Sequence, residues 1–482
     1  MGVVHALRPR LWTITAAVLV IASLTATSPT MAASTRSSNP LRPLQWGKEL
    51  EIWGPDGLFT SLSCAARGYC TAVGYWLLPM DAGSSDGFVL DEANGKWGRP
   101  FAVHGLDANH RADSNVLSVS CSAKGTCVAG GAAGAPFSDG TYGFVVEEKR
   151  GVWGNARPEP GPGSLALGTH GGRDSSVESA SCAAPGDCTA VGQYENAAGQ
   201  VQGFVVDERN GVWRSAQDVS GLATLSGGAT AGVDTVSCTG VGDCSAAGTW
   251  YDGALRGFVV NESHGTWGSA KAITGISLDA GDGPSPIELS CAAPGDCAAT
   301  GTDGPPGSQG GFVIDESRGT WGAAAPIPGL ASLNTGHNAV LGAISCWAVG
   351  SCDAVGMYQK QVQTGSPPEP GFLVEERAGI WHGARAIPGL VTLTGDGFAL
   401  PTTISCDATG DCAAGGIYNG GGNFVVDKVR GVWHDAKGVG GAGGQNTEIS
   451  CIPGDHCVVA TDFHNSAATG EVASGPVLPR RG

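Results

Sequence analysis

All sixteen cysteines of this chain fall into eight pairs of one spacing, Cys-x5-Cys, and no other feature limits the fold so tightly. Cys64 pairs in this way with Cys70, Cys121 with Cys127, Cys182 with Cys188, and Cys238 with Cys244. Cys291 follows with Cys297, Cys346 with Cys352, Cys406 with Cys412, and Cys451 with Cys457. A serine precedes the first cysteine every time: Ser63, Ser120, Ser181, Ser237, Ser290, Ser345, Ser405 and Ser450. Such self-similarity at a regular period marks a repeat architecture.

Each pair opens the same longer pattern. A small-residue strand follows, as in Thr71-Ala72-Val73-Gly74 or Thr189-Ala190-Val191-Gly192. After a variable loop comes a strand opening on Phe: Phe88, Phe144, Phe204, Phe258, Phe312, Phe372 and Phe424. A tight turn then leads to a strand carrying Trp97, Trp153, Trp213, Trp267, Trp321, Trp381 or Trp433. The first of these turns is Asn94-Gly95, a strong two-residue hairpin signal. The last copy, near Gly470-Glu471-Val472, is degenerate. Four strands per repeat, here lettered a to d, predict an all-β chain built of β-propeller blades.

The ends of the array distinguish a closed ring from an open stack. A Trp strand, Trp46-Gly47-Lys48-Glu49-Leu50, stands alone before the first cysteine pair, and no Trp strand follows the last. That offset predicts an eight-bladed ring whose N-terminal strand completes its last blade. Seven blades is the alternative, should the degenerate copy fail to form one.

The segment before the array reads as an export signal. Arg8 and Arg10 precede an apolar run from Leu11 to Ala26, and small residues follow, with cleavage expected after Ala32 or Ala33. The run falls short of the roughly 20 residues that a spanning helix needs. The expected organisation is therefore a signal at 1–33, a linker at 34–45, one propeller at 46–475 and a tail at 476–482. The mature chain is then secreted and has no membrane span. Reading its 79 glycines and 27 prolines as a sign of disorder fails, because they are spaced between Val, Phe and Trp runs as turns between strands.

An exported chain matures where disulfides persist. Two strand residues facing each other across a short turn lie at bridging distance. Eight disulfides, one per repeat, are expected, and each short loop contributes about 2 kcal/mol in the chain-entropy picture. The rival is a metal site, but the spacing is not that of a zinc knuckle and no histidine recurs with it. The loop acids Asp279, Asp282, Asp303 and Asp396 stay open as calcium ligands, although they match no calcium-loop pattern. Neither metal nor cofactor is expected. The net charge of −17 disfavours nucleic acid as a partner.

A residue that recurs in every copy serves the blade, whereas a single site on a ring needs departures between copies. The paired acids Asp91-Glu92, Glu147-Glu148, Asp207-Glu208, Asp315-Glu316 and Glu375-Glu376 resemble glycosidase carboxylates, yet they recur at one place. They read as turn and edge residues. The serines lack a recurrent histidine to act as base, so no nucleophile is assigned and the catalytic residues are unknown. Aromatic residues after the strand-b glycine are the candidate ligand-binding set: Trp76, Tyr194, Trp250, Tyr251, Tyr358 and Tyr418. They lie where the b–c and d–a loops gather on one face, and rings exposed there would stack on sugars.

The set Ser-Cys-x5-Cys, Gly-Phe-Val-Val and Gly-x-Trp-Gly resembles a group of secreted actinobacterial repeat proteins, over about residues 46 to 475. That resemblance implies no activity. A weaker one is to sialidase-like propellers, whose Asp-box is similar to Asp315-Glu316-Ser317-Arg318-Gly319-Thr320-Trp321 and Asn261-Glu262-Ser263-His264-Gly265-Thr266-Trp267. Both lack one residue of that box. The three central arginines of a sialidase have no counterpart in the strands before the cysteines. The expected role is a monomeric, non-enzymatic extracellular binding module for a glycan or a protein. A carbohydrate-active hydrolase and a structural component of the cell envelope are the alternatives.

Overall fold

The computed structural model describes residues 57–461, apart from 78–84, 107–112, 135–139, 159–173, 277–286, 363–366, 440–445, 454–455 and the single positions 197, 306, 396 and 420. It also describes two N-terminal strands, Leu19–Ser23 and Leu50–Ile52. The expected signal cleavage site, linker, tail and degenerate copy lie outside the described residues.

The repeat folds as read. In the first blade, strand a is Gly57–Ala66, b is Tyr69–Leu77, c is Ser85–Ala93, and d is split into Lys96–Trp97 and Phe101–Ala102. All four are antiparallel neighbours in chain order, with both pieces of d on c. Asn94 and Gly95 take φ values of 54° and 75°, as a two-residue hairpin turn requires. Every blade core centres on its strand-c phenylalanine, of which none of the seven is more than 1 % exposed.

Close approach explains the strand-b glycine. Strand a carries a bulge opposite it, at Thr60 in the first blade and Glu178 in the third. A Cβ on Gly74 would stand 1.9 Å from the Leu58 carbonyl oxygen, and one on Gly192 would stand 1.9 Å from that of Ser176. Any side chain there would push the bulged strand off its partner.

Seven sheets are complete four-stranded blades, so the expectation of eight is corrected to seven, its stated alternative. The eighth cysteine pair forms only a hairpin, Thr447–Ile452 with His456–Thr461. No Phe strand or Trp strand follows it in the sequence to build the outer half. Leu19–Ser23 pairs with His456–Thr461 instead, and Leu50–Ile52 lies outermost. The chain's N-terminal side thus does supply the outer edge, with Leu50–Ile52, while Trp46 to Glu49 of the expected strand lie outside the described residues. The third place is filled by residues that the sequence assigns to the export signal. The hairpin wedges between the seventh blade and the first: Val458 and Ala460 pack with Phe59 and Phe88, while Ile449 and Val459 pack with Val425.

All eight expected disulfides form, each joining directly opposed residues of a and b. In the first four blades Cys64 is bonded to Cys70, Cys121 to Cys127, Cys182 to Cys188 and Cys238 to Cys244. In the next three Cys291 is bonded to Cys297, Cys346 to Cys352 and Cys406 to Cys412. Cys451 and Cys457 close the partial eighth hairpin in the same way. The paired Cα atoms lie 3.9 to 4.1 Å apart. The second cysteine is the more deeply placed: Cys70, Cys127, Cys188, Cys244, Cys297, Cys352, Cys412 and Cys457 are all buried on strand b.

The serine before each pair has a structural task. Its hydroxyl accepts the backbone N–H of the first cysteine in the next inner strand. Ser63 serves Cys121, Ser120 serves Cys182, Ser181 serves Cys238, and the series runs on to Ser405 and Cys451. Ser450 then serves Cys64 at 3.0 Å, which closes the circle.

A second set of contacts joins the blades further out. The Trp153 indole N–H donates to Asp91 at 2.9 Å, Trp321 to Asn261 at 2.7 Å and Trp381 to Asp315 at 2.9 Å. Trp267 and Trp433 donate in the same way to Asp207 and Glu375. The first residue of four of these acidic pairs is therefore an acceptor for the next blade's tryptophan, while Glu147 pairs with Lys149 and Trp213 Nε1 has no partner. Those four are not the edge charges that the sequence suggests. The second residue is buried. Burial pushes Glu92, Glu148 and Glu376 up to about 7, and burial with the neighbouring Glu147 pushes Glu208 up to about 8. Glu262 and Glu316 are raised by burial too. Glu92 Oε2 and Glu208 Oε1 have no hydrogen-bond partner, as suits carboxyls that fold protonated, whereas Glu262 meets the Arg209 guanidinium.

Both sets of contacts can be tested by stability. Ser181→Ala leaves the Cys238 N–H without its acceptor and should cost about 1–3 kcal/mol, read as a lowered midpoint in denaturant. The buried glutamates bind protons more tightly folded than unfolded. Their contribution is full below the ordinary carboxylate range and is lost as pH rises through about 7 to 8. The melting temperature should therefore be higher near pH 5 than near pH 8. The opposite slope in calorimetry would mean these side chains fold ionised.

Candidate functional site

The recurring polar groups are spent on holding blades together, so a site must be sought where copies differ. Three departures stand out.

The first is the aromatic set on the loop face. Tyr358, Trp250 and Tyr194 are 1 %, 4 % and 7 % exposed. Trp250 and Tyr358 pack against the strand-c phenylalanines Phe258 and Phe372. The Tyr194 hydroxyl donates to Asp218. Trp76 is half-buried and stacks on Phe88, with ring centroids 5.0 Å apart. Tyr418 is half-buried against the seventh blade's core. Alternation along strand b explains the pattern: the second residue after the glycine points into the blade and the third points out. Tyr251, the third, is 57 % exposed and presents its ring to solvent. The structure thus does not gather the six into one pocket. Five cap the cores of separate blades, and Tyr251 stands on the fourth.

The second departure is a charge exchange between the sixth and seventh blades. Lys428 stands where other copies have the buried glutamate, and Asp353 stands where they have Thr71, Val128, Thr189, Ser245, Ala298 or Ala413. Lys428 Nζ lies 2.9 Å from Asp353 and 3.2 Å from Glu375. Arg377 joins the same group. Asp353 also approaches Cys406 and Cys412, but those sulfurs are bonded to each other and hold no metal. This cluster is a compensated pair within the packing.

The third departure lies at the hub. Eight inner strands surround the ring axis, and none contains Lys, Arg or His. Four acids occur on them: Glu178, Asp234, Glu288 and Glu448. Three belong to consecutive blades. Glu178 and Asp234 occupy the bulge, where other copies have Thr60, Leu117, Gly342 and Thr402. Glu288 is one residue further on, where the other blades have Ser61, Ser118, Ser179, Thr235, Ala343 and Thr403 and the eighth hairpin has Glu448.

These three acids keep some accessible surface although protein surrounds them, as side chains lining a narrow channel do. Burial raises all three carboxyls, Glu288 to about 7. The Glu178 and Glu288 charges raise Asp234 further, and only the Ile287 N–H works against that. Glu178 accepts from Ser176 at 2.5 Å. Asp234 Oδ2 is closed off from solvent and has no hydrogen-bond partner. Sequence reading missed this sector because its members lie more than fifty residues apart, in no local motif. Comparing the copies column by column at the third and fourth positions before each first cysteine would have found them.

Of the loop acids, Asp279, Asp282 and Asp396 lie outside the described residues, and Asp303 ends strand b of the fifth blade. No helix among the described residues is long and apolar enough to cross a membrane.

No protein-family model matches the chain, and no curated protein does. The motif resemblance to actinobacterial repeat proteins therefore has no family model behind it. Among solved structures, the chain is similar to Hadza microbial sialidase Hz136 at 9 % identity, over 77 % of this chain and 90 % of that one, with a TM-score of 0.41. It is similar to AofleA from Arthrobotrys oligospora at 11 % identity, over 76 % and 98 %, with a TM-score of 0.36. Trypanosoma rangeli sialidase is similar at 10 % identity, over 69 % and 56 %, with a TM-score of 0.39.

Proposed function

We propose that this protein is an exported, non-enzymatic binding module whose rigid ring presents the b–c and d–a loops to a glycan or protein ligand. One observation carries the reading. The polar residues that recur through the repeat, and that resemble catalytic groups in sequence, are engaged between blades. Each serine of the hub accepts a backbone N–H, and the first acids accept indole N–H groups or pair with cations. A serine held as an acceptor, with no histidine on any inner strand, is not an activated nucleophile. Eight disulfides suit an oxidising compartment.

Variable loops on a rigid scaffold are where binding residues concentrate. Tyr251 is the member of the aromatic set with a free ring face, so it is the anchor we assign. A sialidase reading would require cations near the axis to hold a substrate carboxylate, and the inner strands supply acids instead.

The test is a glycan array and polysaccharide pull-down on the oxidised mature protein, with released sugars assayed in parallel. Binding without turnover is expected, weakened about tenfold or more by Tyr251→Ala, the loss of roughly 1.4 kcal/mol. Trp250→Ala should lower stability instead, because its ring is buried. Released product would overturn the non-enzymatic reading.

A further inference from the structure

Three carboxylates stand on the inner strands of three consecutive blades, and among the described residues no cation meets them. We propose that Glu178, Asp234 and Glu288 form a site for a hydrated divalent metal cation of the calcium or magnesium class, bound inside the central channel. This inference is independent of the loop-face reading and concerns the opposite kind of chemistry, hard oxygen ligands rather than aromatic rings.

Charge is the first argument. Acids of folded proteins that lie enclosed are normally paired, because an isolated charge away from bulk water is costly. Two other enclosed acids follow that rule, Asp353 with Lys428 and Glu262 with Arg209, while Glu92, Glu148 and Glu376 are buried without an ion pair among the described residues. In the channel, Glu178, Asp234 and Glu288 form no ion pair among the described residues, and the inner strands offer no basic side chain. They stand side by side, and the outer two raise the proton affinity of the middle one.

Unpartnered atoms are the second argument. Asp234 is surrounded by protein, its Oδ2 is shut off from solvent, and no donor reaches that oxygen. Glu288 is likewise enclosed, and burial alone accounts for its raised carboxyl, with no hydrogen bond or charge of the protein contributing. Asp234 Oδ2 is thus an enclosed oxygen for which the chain supplies no donor.

Geometry decides the class. The three carboxylates do not bring an oxygen each within 4.8 Å of one another. A bare ion therefore cannot touch all three as they stand, and water must complete the shell. Magnesium habitually keeps several waters and calcium accepts about six to eight oxygens in a flexible arrangement, so both suit a wide, all-oxygen site. Softer metals are excluded by the donor set, since no histidine lies on the inner strands and every cysteine is in a disulfide. Nothing local in the chain points to a metal, because the ligands come one per blade. Only ring closure brings them together.

The experiment uses the full mature protein, oxidised and treated with chelator, in differential scanning fluorimetry and isothermal titration calorimetry. Calcium chloride and magnesium chloride are added separately, against sodium chloride at matched ionic strength and against spermidine. One of the divalent ions should raise the melting temperature and bind with a stoichiometry near one. Asp234→Asn and Glu288→Gln should each abolish that shift while leaving the chelated protein as stable as wild type or more so, because mutual repulsion is relieved. Glu376→Gln, an acid between blades, should leave the shift intact. No response of the wild type to either divalent ion overturns the proposal. So does a response that survives both channel substitutions, and so does a response to spermidine alone.

Discussion

A hydrogen bond from a cysteine N–H to a serine hydroxyl, repeated around the axis, is the constraint on which the other contacts of this ring depend. The innermost strand of a blade pairs with strand b on one edge and has no strand on its other edge. An unpaired inner edge would leave backbone donors buried and unsatisfied. The serine of the preceding blade meets that need at one fixed height. The disulfide beside it locks the register between a and b, so the N–H is always presented at the same place. Fixing a and b in this way fixes the angle at which each blade leaves the hub. The strand-b glycine, opposite the bulge, then lets the bulged inner strand lie against b without a clash.

Much of this is legible in the sequence because it is local. Cysteine spacing foretells the disulfides, Asn94-Gly95 the hairpin, and the Phe and Trp positions strands c and d. What is not legible depends on the neighbouring blade. Asp91 and Glu92 look like an exposed turn pair in one dimension, but Trp153 of the next blade caps the first and the packing of adjacent blades buries the second. The aromatic set is defined by its distance to a glycine, and that distance does not reveal which face of strand b turns outward. Tyr251 and Trp250 are adjacent in sequence and lie at opposite extremes of exposure. The blade count turns on the outer half of a copy whose sequence has already decayed.

Departures between copies separate into two kinds when their charges are followed. Lys428 replaces a glutamate, and within reach of it Asp353 replaces a small residue, so the seventh junction exchanges one buried arrangement for another that is also neutralised. A buried pair of that kind is poor evidence of function, because packing alone can sustain it once both members are present. Among the described residues the channel acids have no such counterpart. Three neighbouring acids whose carboxyls burial raises work against the fold as they ionise, and stability alone would not favour their presence together. That difference in compensation, rather than conspicuousness in sequence, is what marks the hub as the place where the ring departs from a purely structural design.

The closing seam shows the same logic. At most blade junctions an acid or amide of one blade receives the next blade's indole. The hairpin before the first blade has no Gly-Phe strand and therefore no such acceptor, and Trp97 Nε1 is left without a partner. Closure rests instead on inner contacts: Ser450 to Cys64, the Asn446 amide to the Phe59 carbonyl, and the burial of Val458 and Ala460 against the first blade. The hub is complete around the full circle while the periphery is not. A ring built this way holds its axis, and any group bound there, more firmly than it holds its rim.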